Sequence, residues 1–250
     1  MRLLVLNSNT SDFVTQTVAA AARDLAAPGT EVTFATGAFG AKVIESRSEL
    51  AIAHHATMEA VARHAPGCDG ILIAVSYDVG VRAARELTGL PVLGITEAAF
   101  AAAMTCATRV GLVLVGRRVA TVYREVIDSY GWGGRLAGVR AIESSAPYAA
   151  VDQTAADRML VDAACDLVVR DDAEAVVLAG AVMAGRSSRL EAEVPVPLLD
   201  GVRCGIPALE ALVRMNLKRA TSGSYSAVRD RTTVGLADPL SRMLASAAAS

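Results

Sequence analysis

No uncharged apolar run in this chain approaches the ~18 residues that a membrane-spanning helix needs, and Met1-Arg2 passes directly into a strand-like run without a signal-peptide layout. The expectation is a cytoplasmic protein with no membrane partner. The cysteines, Cys68, Cys106, Cys165 and Cys204, are far apart and form no Cys-x-x-Cys pair. That spacing argues against a disulfide frame or a zinc site and reads as reduced thiols. No basic cluster precedes the tail and the formal net charge is −2, so no nucleic-acid partner is expected. Also missing are a G-x-G-x-x-G turn, a Walker loop, a zinc-type histidine spacing and a G-x-S-x-G elbow. Nicotinamide, nucleoside-triphosphate and metal chemistry lose their usual markers, and nothing local supports a Ser-His-Asp triad.

Apolar residues, by contrast, are abundant. They make up 53% of the 250 residues against 20% charged, which fits a globular enzyme with a substantial core, as one domain or two small lobes. Two stretches organise the chain: Ile71-Leu-Ile-Ala-Val-Ser-Tyr-Asp-Val-Gly80 and its echo Val176-Val-Leu-Ala-Gly-Ala-Val-Met183. Each begins as an apolar run too short for a helix and ends in small or polar residues, the pattern of a buried parallel strand opening into a loop. Ligands in parallel α/β sheets sit beyond such strand ends.

Strand starts repeat along the sequence. Leu3 and Ile71 are 68 residues apart and Val110 and Val176 are 66 apart, while the steps from Ile71 to Val92 and from Val176 to Val196 are 21 and 20. The spacing predicts an α/β fold of two pseudo-symmetric lobes, each a four-stranded parallel sheet flanked by helices, with the active site in the cleft between them. The lobes are expected at residues 1–101 plus 206–250 and at residues 102–205. Helices are expected over residues 12–27, 48–64, 81–88, 98–108 and 208–218. The Ser/Gly-rich stretch from Thr221 and the Arg229-Asp-Arg231 run read as a surface segment, and residues 247–250 as a frayed end.

Several side chains are candidates for chemistry. Asn9, Thr10 and Ser11 follow the first strand, where they serve either as a helix cap alone or as an anion site at a helix N-terminus. Ser76 offers a hydroxyl and backbone N–H groups at a strand end, Tyr77 a phenol as acid, and Asp78 a carboxylate that is either a base or a loop cap. Val75, Gly180, Ala181 and Met183 line the facing strand ends, where Gly180 leaves room for a bulky ligand. His54 is a possible acid or base on a helix; His55, one residue on, cannot face the same way. Cys204 is either a displaced thiol or a buried packer. Arg117 and Arg118 follow the first strand of the second half, where one of them can hold an anionic substrate or both can be solvated.

These residues also carry a resemblance. Asn7-Ser-Asn-Thr-Ser11, Ile44-Glu45-Ser46, Asp78 with Gly80, Gly94-Ile-Thr-Glu-Ala-Ala99, Asp200-Gly-Val202 and Thr221-Ser-Gly-Ser-Tyr225 resemble, in order and spacing, the hydantoin and allantoin racemases of the aspartate/glutamate racemase superfamily. The resemblance covers nearly the whole chain. It implies a two-lobed fold, no cofactor, a small-molecule substrate such as a cyclic ureide, a substrate contact at Glu45 and a homo-oligomer. It also implies two cysteines, one at each central strand end, that exchange a Cα proton. Here the matching positions are Val75 and Gly180, which neither accept nor donate a proton. The superfamily's arylmalonate decarboxylases, which use small hydroxyl residues beside a glycine that replaces one cysteine, supply a lyase as alternative to the isomerase. A silent ligand-binding protein is the third reading.

Overall fold

The structure, a computed structural model, describes residues 1–143, 153–226 and 230–245. Residues 247–250, expected to be frayed, and Arg229, expected on the surface, lie outside them.

The first half comprises β1 (Arg2–Asn7), α1 (Asp12–Leu25), β2 (Glu31–Thr36), α2 (Arg47–His64), β3 (Gly70–Ile73), α3 (Val81–Thr88), β4 (Val92–Gly94) and α4 (Ile95–Ala103). The second comprises β5 (Val110–Val115), α5 (Ala120–Ser129), β6 (Leu136–Ile142), α6 (Gln153–Asp171), β7 (Ala175–Leu178), α7 (Arg186–Leu190), β8 (Leu198–Asp200) and α8 (Gly201–Met215). A last helix, α9 (Asp238–Ala245), packs on α2. All strand pairs are parallel, in the orders β2-β1-β3-β4 and β6-β5-β7-β8. The two orders are the same pattern, which is what the repeat in strand spacing requires. Both central strands of each sheet are covered on two faces, so β3 and β7 are buried throughout and read as unbroken apolar runs.

Three element starts differ from expectation by two residues or more, and the helices expected to end at residues 27, 108 and 218 end at Leu25, Ala103 and Met215. The last strand of the second sheet starts at Leu198, not Val196, because Pro197 has no N–H to donate to a ladder. The corrected register matches the first half: Ile71 pairs with Val92 and Val176 with Leu198, and the carbonyls of Pro91 and Pro197 accept from the amides of Ile71 (3.0 Å) and Val176 (2.9 Å). The helix expected from residue 98 begins at Ile95, and the one expected from residue 208 begins at Gly201 with Pro207 inside it. Both starts are set by carboxylates. Asp78 accepts from the amides of Thr96 (2.8 Å) and Glu97 (2.7 Å), and Asp200 accepts from those of Val202 and Arg203, both at 3.0 Å.

β6 has no location in the sequence reading, although a fourth strand is expected. It is a half-buried edge strand whose Arg140 forms ion pairs with Asp166 and Asp171. Helix α8 returns across the first sheet, and Gly70 and Gly205 allow the approach. A Cβ at Gly205 would lie 2.7 Å from Leu72 Cδ1, and one at Gly70 would lie 2.9 Å from Val213 Cγ2. No helix among the described residues is long and apolar enough to cross a membrane.

Candidate active site

The carboxyl ends of β1, β3, β5 and β7 face a seam between the two halves, and the candidate residues sort along it. The polar turn after β1 is internally bonded. Asn7 Nδ2 donates to Asn9 Oδ1 (2.8 Å) and Thr15 Oγ1 (3.0 Å), and the Ser11 amide donates to Asn9 Oδ1 (2.9 Å). Both bonds to Asn9 fall on Oδ1, so its amide nitrogen is the end left for the cavity that it lines. Ser11 caps α1 by accepting from the Val14 amide (3.4 Å), and the Thr10 amide donates to the carbonyl of Ala41 (3.1 Å). The turn is thus a helix cap and a clamp on the loop before α2.

After β3 the backbone leaves the usual region. Tyr77 and Asp78 are consecutive non-glycine residues at φ 68° and 52°, a strained arrangement that survives only where its surroundings impose it. The effect is to send three side chains in different directions. Ser76 lines a narrow cavity of ≈ 20 Å³, together with Asn9, Ile44, Val75, Ala181 and Val182. That volume holds about one water molecule. Tyr77 donates from its hydroxyl to the Ile44 carbonyl (3.0 Å), pinning the loop that covers this cavity. Asp78 points at the N-terminus of α4 and also accepts from Tyr130 Oη of the second half (3.0 Å). Burial pushes the Asp78 carboxyl up to about 7 against the pull of the two amides, and burial together with Asp78 pushes the Tyr130 phenol up as well.

Opposite Ser76 stands Gly180 at φ 108°. A Cβ at that position would lie 3.4 Å from Ser76 Oγ and 3.5 Å from Tyr123 Oη. Tyr123, on α5, is almost fully buried, and its ring packs against that of Tyr77 at 4.7 Å between centroids. Sequence reasoning missed Tyr123. It sits mid-helix on an apolar face, with no motif around it, and only the α5 position over the seam brings its hydroxyl to the β7 strand end. Ala181 and Met183 are buried beside Gly180.

The remaining candidates lie further out. His54 is on the rim of a second pocket, ≈ 380 Å³, that opens on the other side of Tyr77 and Asp78. Partial desolvation lowers its pKa. His55 turns away to Glu59 (3.2 Å). Of the arginine pair, Arg118 crosses to the first half and donates to the Glu45 carbonyl (3.1 Å), whereas Arg117 is solvent-exposed beside Glu143. Glu45 has its amide bonded to Glu49 (2.8 Å) and its side chain near Gly116, where a Cβ would lie 3.9 Å from Oε1. Cys204 is on α8 and packs against the main core cluster; burial and the nearby Asp200 push its thiol up to about 12, which leaves little thiolate near neutrality. The structure therefore brings Asn9, Val75, Ser76, Gly180 and Ala181 together with Tyr123. It holds His54, Arg117 and Cys204 apart from them.

Comparison with known proteins gives a consistent result. Residues 3–209 match the family described as Asp/Glu/Hydantoin racemase. A hydantoin racemase of Paenarthrobacter aurescens is 33% identical over 229 residues, covering 90% of this chain and 96% of that protein. The solved allantoin racemase of Klebsiella pneumoniae is 31% identical with a TM-score of 0.88, covering 97% of this chain and 98% of that one. An allantoin racemase from Pseudomonas fluorescens is also 31% identical with a TM-score of 0.88, covering 94% and 100%.

Proposed function

Because the chain belongs to the Asp/Glu/hydantoin racemase family and directs two hydroxyls, of Ser76 and Tyr123, at Gly180 while Val75 holds the other matching position, we propose that it is a cofactor-independent enzyme moving a proton at a carbon next to a carbonyl. The substrate class is a small cyclic ureide of the hydantoin or allantoin type, or an amino-acid derivative. Resemblance to the relatives supports that class.

One observation carries the mechanism: Ser76 Oγ and Tyr123 Oη converge on Gly180, 3.4 and 3.5 Å from where a side chain would begin. A two-base racemisation needs a proton carrier on each face of the reacting carbon. Beside Gly180, where the family resemblance places a thiol, stand two hydroxyls, Ser76 from the β3 end opposite and Tyr123 from α5. At the β3 end stands Val75, whose side chain carries no proton to give. Proton transfer is therefore one-sided: in racemisation Tyr123, as phenolate, takes the Cα proton and returns one after the planar enolate turns over, while Ser76 holds the carbonyl oxygen or the developing enolate.

The same one-sidedness favours a second reading, a cofactor-free lyase in which a carbon–carbon bond breaks and one proton is delivered to one face. Proton NMR in deuterated buffer separates the two, using chiral hydantoins, allantoin and substituted malonates. The isomerase reading predicts loss of the Cα–H signal, and the lyase reading predicts a cleavage product with one deuterium added. Tyr123→Phe should lower either rate by ~100-fold or more, the usual size of a lost general acid. Neither exchange nor cleavage across the panel would sink both readings and leave a ligand-binding protein.

A further inference from the structure

A cavity of ≈ 520 Å³ lies at the opposite pole of the first sheet, where β4 begins and α8 ends. It takes no part in the chemistry above. Its size is that of a small-molecule site, and such sites pair an apolar wall with a few convergent polar groups. Here the wall is Leu90, Pro91, Leu212 and Leu217, and the charged groups lining it are all basic. Arg85 is committed to Glu97 and to the carbonyl of Val92 (2.9 Å). Lys218 and Arg219 follow α8 directly, and no carboxylate among the lining residues answers them.

Arg219 is incompletely satisfied. Its Nη2 donates to the Glu86 carbonyl (2.7 Å) at the end of α3, but its Nε is buried with no acceptor. The guanidinium lies against Gly89, where a Cβ would come within 2.5 Å of Arg219 Cδ, so glycine both ends the helix and leaves the space. A buried charged donor without an acceptor is costly and calls for an explanation. Tyr225, from the Thr221-Ser-Gly-Ser-Tyr225 stretch that the candidate site leaves unused, stands in the same lining.

We propose that this cavity binds a small amphiphilic anion, its carboxylate or phosphate head on Arg219 and Lys218 and its apolar body against Leu90, Pro91, Leu212 and Leu217. Saturation-transfer NMR and calorimetry on the full chain test it, with octanoate and phenyl phosphate as probes and octanol and inorganic phosphate as controls. Saturable binding of at least one anionic probe is expected, weakened ~10-fold by Arg219→Ala, because a charge-assisted bond is lost. Lys218→Ala, an exposed position with no bond to α3, should weaken it ~3-fold without touching the fold. Octanoate alone assigns a carboxylate head, and phenyl phosphate alone a phosphate. Octanol or inorganic phosphate binding as tightly as the corresponding probe would overturn the amphiphile. So would no saturable binding at millimolar concentration, or binding that both variants leave unchanged.

Discussion

At the scale of single residues, the candidate site is decided by where each side chain is directed. Tyr77 is the more obvious phenol in the sequence because it follows a strand end, and its hydroxyl reaches the Ile44 carbonyl; Tyr123, unmarked in the sequence, is the phenol directed at Gly180. Asp78 is a comparable case. Its carboxylate joins a strained turn, the start of α4 and Tyr130 of the other half. Its pKa is raised to about 7 from an ordinary 3.8. The folded state therefore holds a proton that the unfolded chain releases between those two values, and this residue's contribution to stability falls as pH rises through that window. The urea midpoint of the wild type should accordingly carry a falling component between pH 4 and pH 7. In Asp78→Asn, which cannot ionise, that part of the slope should vanish, at the cost of a weaker cap. An unchanged slope would mean that Asp78 titrates normally.

Among elements, the two halves solve one capping problem in two ways. Gly94 and Asp200 hold matching places, each the last residue of its edge strand and the N-cap of the helix that follows. Asp200 caps α8 from its own strand, held by Ser187 Oγ at 2.6 Å. In the first half the carboxylate comes from another loop, and a Cβ at Gly94 would fall 2.1 Å from Asp78 Cγ. The start of α8 then rests on the start of α4, since a Cβ at Gly201 would lie 2.5 Å from the Ile95 carbonyl oxygen. Backbone cannot yield as a flexible side chain does. Gly201→Ala should therefore cost about 2–3 kcal/mol of overpacking strain, read as a lowered denaturation midpoint. Gly205→Ala, which meets the end of the Leu72 side chain, should cost less.

For the whole molecule, the main fact is that the space at the strand ends is narrow, whereas the ≈ 380 Å³ pocket on the other side of Tyr77 and Asp78 is open between the halves. The cavity at the strand ends is ≈ 20 Å³, too small for a ureide ring, so binding requires the halves or the covering loop to move. Polar contacts that close it among the described residues include Tyr77 to Ile44, Arg118 to Glu45, Arg82 to Ser129 (2.6 Å), Arg47 to Glu125, and the Tyr130–Asp78 bond. Tyr77→Phe removes one of them without changing the packing ring. The loss of about 1 kcal/mol expected for one hydrogen bond should speed amide hydrogen exchange of residues 37–46 about fivefold and leave α6 unaffected. Uniform acceleration across the chain would instead indicate global destabilisation.

Much of this architecture was legible in the residues. The strand-end runs at Ile71 and Val176 and the matched spacings determine two like parallel sheets, because a strand buried on both faces must be apolar throughout and a crossover needs a helix between strands. The motif order from Asn7 to Asp200 marks the family in the same way. Tertiary structure alone decided the rest. It moved the start of α4 to Ile95 through a carboxylate 17 residues upstream of it in sequence. It put an unmarked Tyr123 beside Gly180, and it packed a partly buried Cys204 against the core. Periodicity reports which face of an element is buried, but where that face meets another depends on packing between elements distant in sequence, and no local pattern encodes it.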